Sequence, residues 1–368
     1  MTAPAQARPV NALLSTKGHP FQREPFFQMF DSFMRDGIAW THVEQPASQT
    51  FYDPKNAAPY DVIVDYSMWG VGFGRKAGDP APEVPEDFKK NIVALMEAGT
   101  HGFVFIHHHL CSWPGWDEYA EIVGGRFLYY PQTLRGEEMA DSGYLLGVNS
   151  TYVVTNPGHP VTEGLPERFE LQDELYLAPY FEEDVVPLIR SDFDFRDVNF
   201  FSPYQVVGNG KMFNRDGWSH PPTSNLVAWA KNYKNSPIVY IQAGDVPTSY
   251  NNPAYRRLMA NAIKWVASDE AKAWARARNS GAHADPAETV AVQTKPQTWP
   301  YGRSEPAESD GRRCLFCDQD GVERYGGEFM MHTVSNGGRE LTGPLCGNCH
   351  PMLINDSLDT GGWRIKSA

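Results

Sequence analysis

Three histidines in a row, His107, His108 and His109, close the apolar run "GFVFI" that begins at Gly102. Imidazoles at the end of a buried strand serve as general bases, as metal ligands or as partners for nearby backbone. If the strand stays extended through the run, His107 and His109 share one face and His108 opposes them. A sharp turn at 107 breaks that alternation and lets His108 project instead. Other polar residues also sit at strand ends: His19 after "VNALLST" and Asp245 after "SPIVYIQAG". Asp173 and Glu174, in the less regular segment between, are placed to fold over the same edge. Imidazoles with a carboxylate at one edge suit a divalent cation such as Zn or Mn. That ion polarises a carbonyl or hydroxyl, or generates hydroxide near neutral pH.

A second constellation lies near the C-terminus. "CLFC" (Cys314, Cys317) and "CGNC" (Cys346, Cys349) bracket 28 residues. Two such pairs bring four thiolates to one tetrahedral Zn, each pair wrapping the metal through a tight turn. His332 and His350 are reserve ligands. A closed four-sulfur site has no open position for substrate, so the expected role is structural, with the metal helping a module too small to hold a core. Cys111 stands alone.

These groups need elements to hold them. Strand-like runs at 10–16, 38–43, 60–67 and 102–108 alternate with helical patterns at 21–37, 85–99 and 116–125. After an irregular stretch from 126 to 225, strands at 225–233 and 236–244 precede a helix that ends near Ser268. Such alternation predicts an α/β fold with a doubly wound, mostly parallel sheet, and ligands in such sheets bind beyond the carboxyl ends of the strands. The expected domains are an α/β domain over 8–268, a linker over 269–313 with a helical start, and a zinc-binding module over 314–368.

Several stretches resemble the ThuA-like (trehalose utilisation) family, whose fold is that of the class I glutamine amidotransferases, flavodoxin-like in its winding. They are "KGHPFQREPFFQMFD", "GFVFIHHH", "WDEYAEIVGGRF", "NPGHPVTEGLP" with "LQDELY" after it, and the closing strand and helix "SPIVYIQAGD…NNPAYRRLMANAIKWV". The resemblance implies a pocket at the strand ends and activity on sugars or sugar-like polyols. This chain departs from the pattern twice. An amidotransferase carries a cysteine nucleophile in the turn after the fourth strand, where His107 to His109 stand here. Many relatives end the last core strand with Gly-His, where this chain has Gly244 and Asp245.

Candidate catalytic groups are therefore His19, His107, His108 and Glu174, with His19 and His107 as ligands of an active-site metal. His109, Trp113, Tyr119, Asp173 and Asp245 are candidate substrate contacts, the aromatic faces being suited to sugar rings. His159, between two prolines in "NPGHP", reads as a turn former. His220 is loop-borne, and Asp141 reads as solvated surface.

A net charge of −13 and the lack of a Lys/Arg-rich run argue against a nucleic-acid surface. No window approaches the ~18 apolar residues of a spanning helix, and no signal peptide is recognisable, so a cytoplasmic location is the default expectation. The GxGxxG, P-loop and GxSxG patterns are missing. The expected function is metal-assisted lyase, isomerase or hydrolase chemistry, with a histidine base, on a sugar-derived or other polyhydroxylated or keto small molecule. The alternatives are a non-catalytic binding or regulatory protein and a catabolic enzyme for an aromatic or xenobiotic compound. Beyond the substrate, the expected partner is a second copy or another protein docked on the zinc module.

Overall fold

A computed structural model describes residues 8–283, 285, 287–294, 306, 313–316, 330–345, 349, 353 and 362–366. The apolar run Val10–Thr16 forms β1, which lies parallel to β2 (Ile38–Glu44) on one side and β3 (Val62–Asp65) on the other. Next to β3 comes β4 (Gly102–Ile106), again parallel. The connections are helical, as parallel pairing requires. They include α1 (Arg23–Ser32), the single-turn α2 (Pro54–Ala57) and α3 (Glu86–Ala98). In α3, Phe88, Ile92, Leu95 and Met96 make one buried stripe, Glu86 and Asp87 face the positive end of the dipole, and Gly99 ends the helix in the left-handed region.

Beyond β4 the chain forms α4 (Asp117–Val123), the short β5 (Gln132–Leu134) and β6 (Glu137–Met139), and then two long strands. These are β7 (Gly143–Val154) and β8 (Arg168–Leu177), followed by β9 (Val186–Ser191). A single helix, α5 (Pro203–Asn209), separates them from β10 (Leu226–Tyr233) and β11 (Ser236–Ile241). The one-turn α6 (Pro247–Tyr250) leads into α7 (Pro253–Ala267) and α8 (Asp269–Asn279). Asn252 caps α7, accepting from the Ala254 and Tyr255 amides, with Pro253 at the first helical position.

The main sheet has nine strands in the order β2-β1-β3-β4-β11-β10-β9-β7-β8. Its five-strand half is parallel, whereas β11-β10-β9-β7-β8 pair antiparallel. The expected mostly parallel sheet is thus corrected to a mixed one. The segment read as irregular, 126–225, supplies three of the antiparallel strands. Aromatic residues interrupted by Pro, Asp and Asn hide their alternation, and hairpin pairing needs no helix between strands to announce it. The stretch read as a linker begins as α8, whose Ala271 and Ala275 are buried. Near the C-terminus, β12 (Met330–Asn336) pairs with β13 (Arg339–Leu345) and β14 (Arg364–Ile365). Among the described residues, no helix is long and apolar enough to cross a membrane.

The start of β4 is held tightly against the end of α7. A Cβ on Gly102 would stand 2.2 Å from the Val266 carbonyl oxygen and 2.5 Å from its carbon. Both atoms are backbone, so neither can rotate aside. Gly102→Ala is expected to destabilise the domain by about 2–3 kcal/mol, the upper part of the overpacking range, as read from urea unfolding midpoints.

Candidate active site at the strand ends

The strand ends of the parallel half meet the β7–β8 hairpin at a cavity of about 560 Å³. Its polar lining includes His19, Gln22, Glu174 and Asp245. His19 reaches it because the chain turns sharply after β1: Lys17 and Gly18 have φ of 104° and 100°. A Cβ on Gly18 would fall 1.7 Å from the Met68 carbonyl oxygen, so only glycine fits that crossing.

Glu174 is aimed by a bulge. Pairing between β7 and β8 jumps from Leu145 opposite Leu175 to Val148 opposite Asp173. Leu146 and Gly147 therefore share a single partner position, Glu174. A bulge of this kind redirects a side chain, and both Leu146 and Glu174 line the cavity. Asp173, one position earlier, serves the opposite purpose. Its carboxylate accepts from the amides of Gly244 (2.8 Å), Asp245 (3.1 Å) and Glu174 (2.7 Å), and from the Ser249 hydroxyl. That clamp sets the loop carrying Asp245.

Behind the two carboxylates lies His107. The strand stops at Ile106, and His107 sits at φ 52°, in the left-handed region that non-glycine residues rarely occupy. The extended alternation therefore fails at 107. His107 Nδ1 donates to the Gln242 carbonyl at 2.7 Å, which fixes the tautomer, because a carbonyl only accepts. Nε2 then faces Glu174 Oε2 at 3.2 Å, Asp245 Oδ1 at 3.7 Å and the Tyr176 hydroxyl at 3.0 Å. The Tyr176 ring stacks on the imidazole, centroids 4.9 Å apart. One ligand atom from each of His107, Glu174 and Asp245 lies within 4.8 Å of the others.

Burial alone would lower the basicity of His107, but its bonds to Asp245 and Glu174 outweigh that and raise it well above the usual imidazole range. Burial pushes the carboxyl groups of Asp173 and Glu174 upward, with His107 pulling each part of the way back. Loss of solvent thus acts on all three groups, as it does at many acid–base sites.

The remaining candidates have different surroundings. His108 donates through Nε2 to the Tyr66 carbonyl at 2.7 Å, and its Nδ1 is buried with no protein partner. Burial, with His19 and His107 nearby, drives His108 well below the usual range, so it is neutral. Its ring lies 4.9 Å from that of His19, whose own Nδ1 is also buried without a protein partner. His109 stacks on Phe105, meets Asp65 at 3.2 Å and the Tyr119 hydroxyl at 2.6 Å, and does not line the cavity. Trp113 packs against Phe88 in the core, and neither it nor Tyr119 lines the cavity. The aromatic walls come instead from residues that sequence reasoning did not single out, among them Phe127, Tyr129, Tyr176 and Phe213. The aromatic density of 126–225 was the available signal.

His220 is buried in its loop, bonded to the Pro221 carbonyl at 2.8 Å. Asp141 is not solvated surface. It is buried, accepting from the Ser202 hydroxyl at 2.5 Å and the Tyr204 amide at 3.1 Å, because β7 and α5 close over it. His159 caps a turn, its Nδ1 accepting from the Val161 amide at 3.2 Å. Burial against Trp265 pushes His159 down to about 4. Its folded value lies below the unfolded one near 6.5. The stability it confers is therefore present above pH 6.5 and lost as pH falls toward 4. The expected loss is roughly 3 kcal/mol, and His159→Asn should flatten that part of a urea-midpoint profile.

Residues 12–266 match the family model of ThuA, described as trehalose utilisation. Among solved structures, the chain is similar to a ThuA-like protein from Parabacteroides merdae ATCC 43184, with 15% identity and a TM-score of 0.48 over 71% of this chain and 91% of that one. A ThuA-like protein from Bacteroides uniformis ATCC 8492 has 17% identity and a TM-score of 0.49, over 73% and 96%. A cytoplasmic protein from Salmonella typhimurium LT2 has 14% identity and a TM-score of 0.43, over 70% and 99%. No curated protein matches the chain. With the family model spanning nearly the whole α/β domain, the chain belongs to the ThuA family of trehalose utilisation, a sugar-related role.

Proposed function

We propose that the cavity is the active site of a metal-assisted enzyme acting on a sugar-derived or other polyhydroxylated or keto small molecule. The observation that carries this reading is the disposition of His107, Glu174 and Asp245. One imidazole nitrogen and two carboxylates converge beside a cavity, and the other ring nitrogen donates to a backbone carbonyl. That outer contact is the usual companion of a metal-bound histidine, and the mixed N/O donor set suits Zn or Mn. A bound ion there would polarise a carbonyl or hydroxyl of the ligand. Glu174, aimed into the cavity by the bulge, would take up the proton released from the ligand. Tyr176, its hydroxyl 3.0 Å from His107 Nε2, and the His19 ring complete this side of the cavity wall.

We also propose that Cys314, Cys317, Cys346 and Cys349 hold a structural zinc. Cys314 and Cys349 are buried, and the Leu315 amide bonds the Pro344 carbonyl at 3.0 Å, tying the first cysteine turn to β13. Cys317, Cys346 and His350 lie outside the described residues. His332, on β12, lies within them.

Metal analysis of the purified full chain tests both assignments. Two metals per chain are expected, one lost in His107→Ala and the other in Cys314→Ser/Cys349→Ser. A single metal that disappears only with the cysteines refutes the metal centre at the strand ends.

A further inference from the structure

The cavity is unevenly furnished. Its acidic and imidazole groups are Glu174 inside β8, Asp245 in the loop after β11 and His19 in the loop after β1. Much of the remaining wall is apolar or aromatic: Phe127, Tyr129, Leu146, Val206, Met212 and Phe213. The segment carrying the last two is pinned to β7, because the Phe213 amide donates to the Tyr144 hydroxyl at 2.7 Å. This wall also continues outward. Met212 lines the cavity yet is 42% exposed, and Phe73, 52% exposed, packs edge-on against Tyr129 with centroids 5.0 Å apart.

A free sugar has hydroxyl groups around its whole outline. Each one desolvated against such a wall without a partner costs about 1–3 kcal/mol. An apolar group attached to the polar part would bury against the same wall favourably. The volume also falls within the range of about 300–1,000 Å³ that takes drug-sized ligands.

We propose that the ligand of this site carries an apolar arm, an aryl or alkyl group joined to a polyhydroxylated or keto head. The head meets Glu174 and Asp245, and the arm runs along Leu146 and Phe213 to the exposed Met212 and Phe73. This inference rests on reading the cavity as a substrate site.

Isothermal titration of the full chain with methyl, butyl and hexyl β-glucoside, and with hexanol, all below micelle-forming concentrations, tests it. Affinity should rise about two- to fourfold per methylene from butyl to hexyl. Hexanol should bind at least about tenfold more weakly than hexyl glucoside, about 1.4 kcal/mol. Met212→Glu, at an exposed position where folding is verified by thermal melting, should remove the chain-length gradient. Equal affinity for methyl and hexyl glucosides, hexanol matching hexyl glucoside, a gradient untouched by Met212→Glu, or no binding at all overturns the apolar arm. The two readings fail separately. If metal content and turnover follow the metal-centre reading while the gradient is missing, only the arm falls. If the gradient appears without metal or turnover, the arm stands and the chemistry falls.

Discussion

Glu174→Gln is expected to lower kcat/KM by about 10²–10⁴, the range for removing a positioned general base, while leaving the fold intact. The substitution keeps the shape and the position opposite the β7 bulge, and removes only the capacity to hold a proton or a cation. Glu174 shares its surroundings with Asp173 and Asp245, and burial already disfavours its charge. Gln keeps an oxygen toward His107, and Asp245 still faces that ring, so unfolding by urea should show a loss of only about 1 kcal/mol in the variant at neutral pH. Turnover of keto sugars and their glycosides, followed with the unfolding midpoint of the same preparation, supplies both readings. Wild-type turnover in Glu174→Gln would remove the carboxylate from the proposed chemistry.

Asp173→Ala has the largest expected effect on stability, about 3–5 kcal/mol. A hydrogen bond to a charged acceptor contributes about 1.5–3 kcal/mol, and a buried donor left unmatched costs a further share. Asp173 receives the amides of Gly244, Asp245 and Glu174 together with the Ser249 hydroxyl. Reorganisation of the loop limits the loss to less than the sum. Asp173→Asn keeps one acceptor oxygen and should cost about half as much. The same loop carries Asp245, so under the proposed metal centre Asp173→Ala should also weaken Zn binding at His107, Glu174 and Asp245, as read by titration with Zn. Stability within 1 kcal/mol of wild type by urea unfolding would show that the clamp is not needed.

Part of this site could be read along the chain and part could not. His107 and Asp245 were legible as polar residues after strands, because a buried apolar run makes the polar groups that follow it conspicuous, whereas Glu174 was read only as part of an irregular segment able to fold over the same edge. Their separate roles were not legible. Asp173 and Glu174 are neighbours in "DELY", yet one clamps a loop and the other faces the cavity. A strand sends successive side chains to opposite faces, and the bulge at Leu146 and Gly147 decides which face is which. His108 and His109 likewise sit beside His107 in sequence but bond to the carbonyls of Tyr66 and Ser67. The left-handed turn at His107 sends the three rings in different directions.

The aromatic wall shows the same limit. Trp113 and Tyr119 were attractive because they follow the histidines closely, but they fill the core. Phe127 and Phe213 reach the cavity from 86 positions apart, a convergence that no local pattern records.

By itself the sequence determined the α/β class, the parallel strands from Val10 to Ile106 and the closing helix near Ser268. Each of these is written in local periodicity or short spacing, where burial acts on residues a few positions apart. Tertiary structure alone decided that the sheet continues antiparallel through 143–191, that Glu174 and Asp245 face one imidazole, and that the cavity has an apolar wall. Those outcomes depend on contacts between distant segments, and there the energy lies in register and packing, which the order of residues does not display.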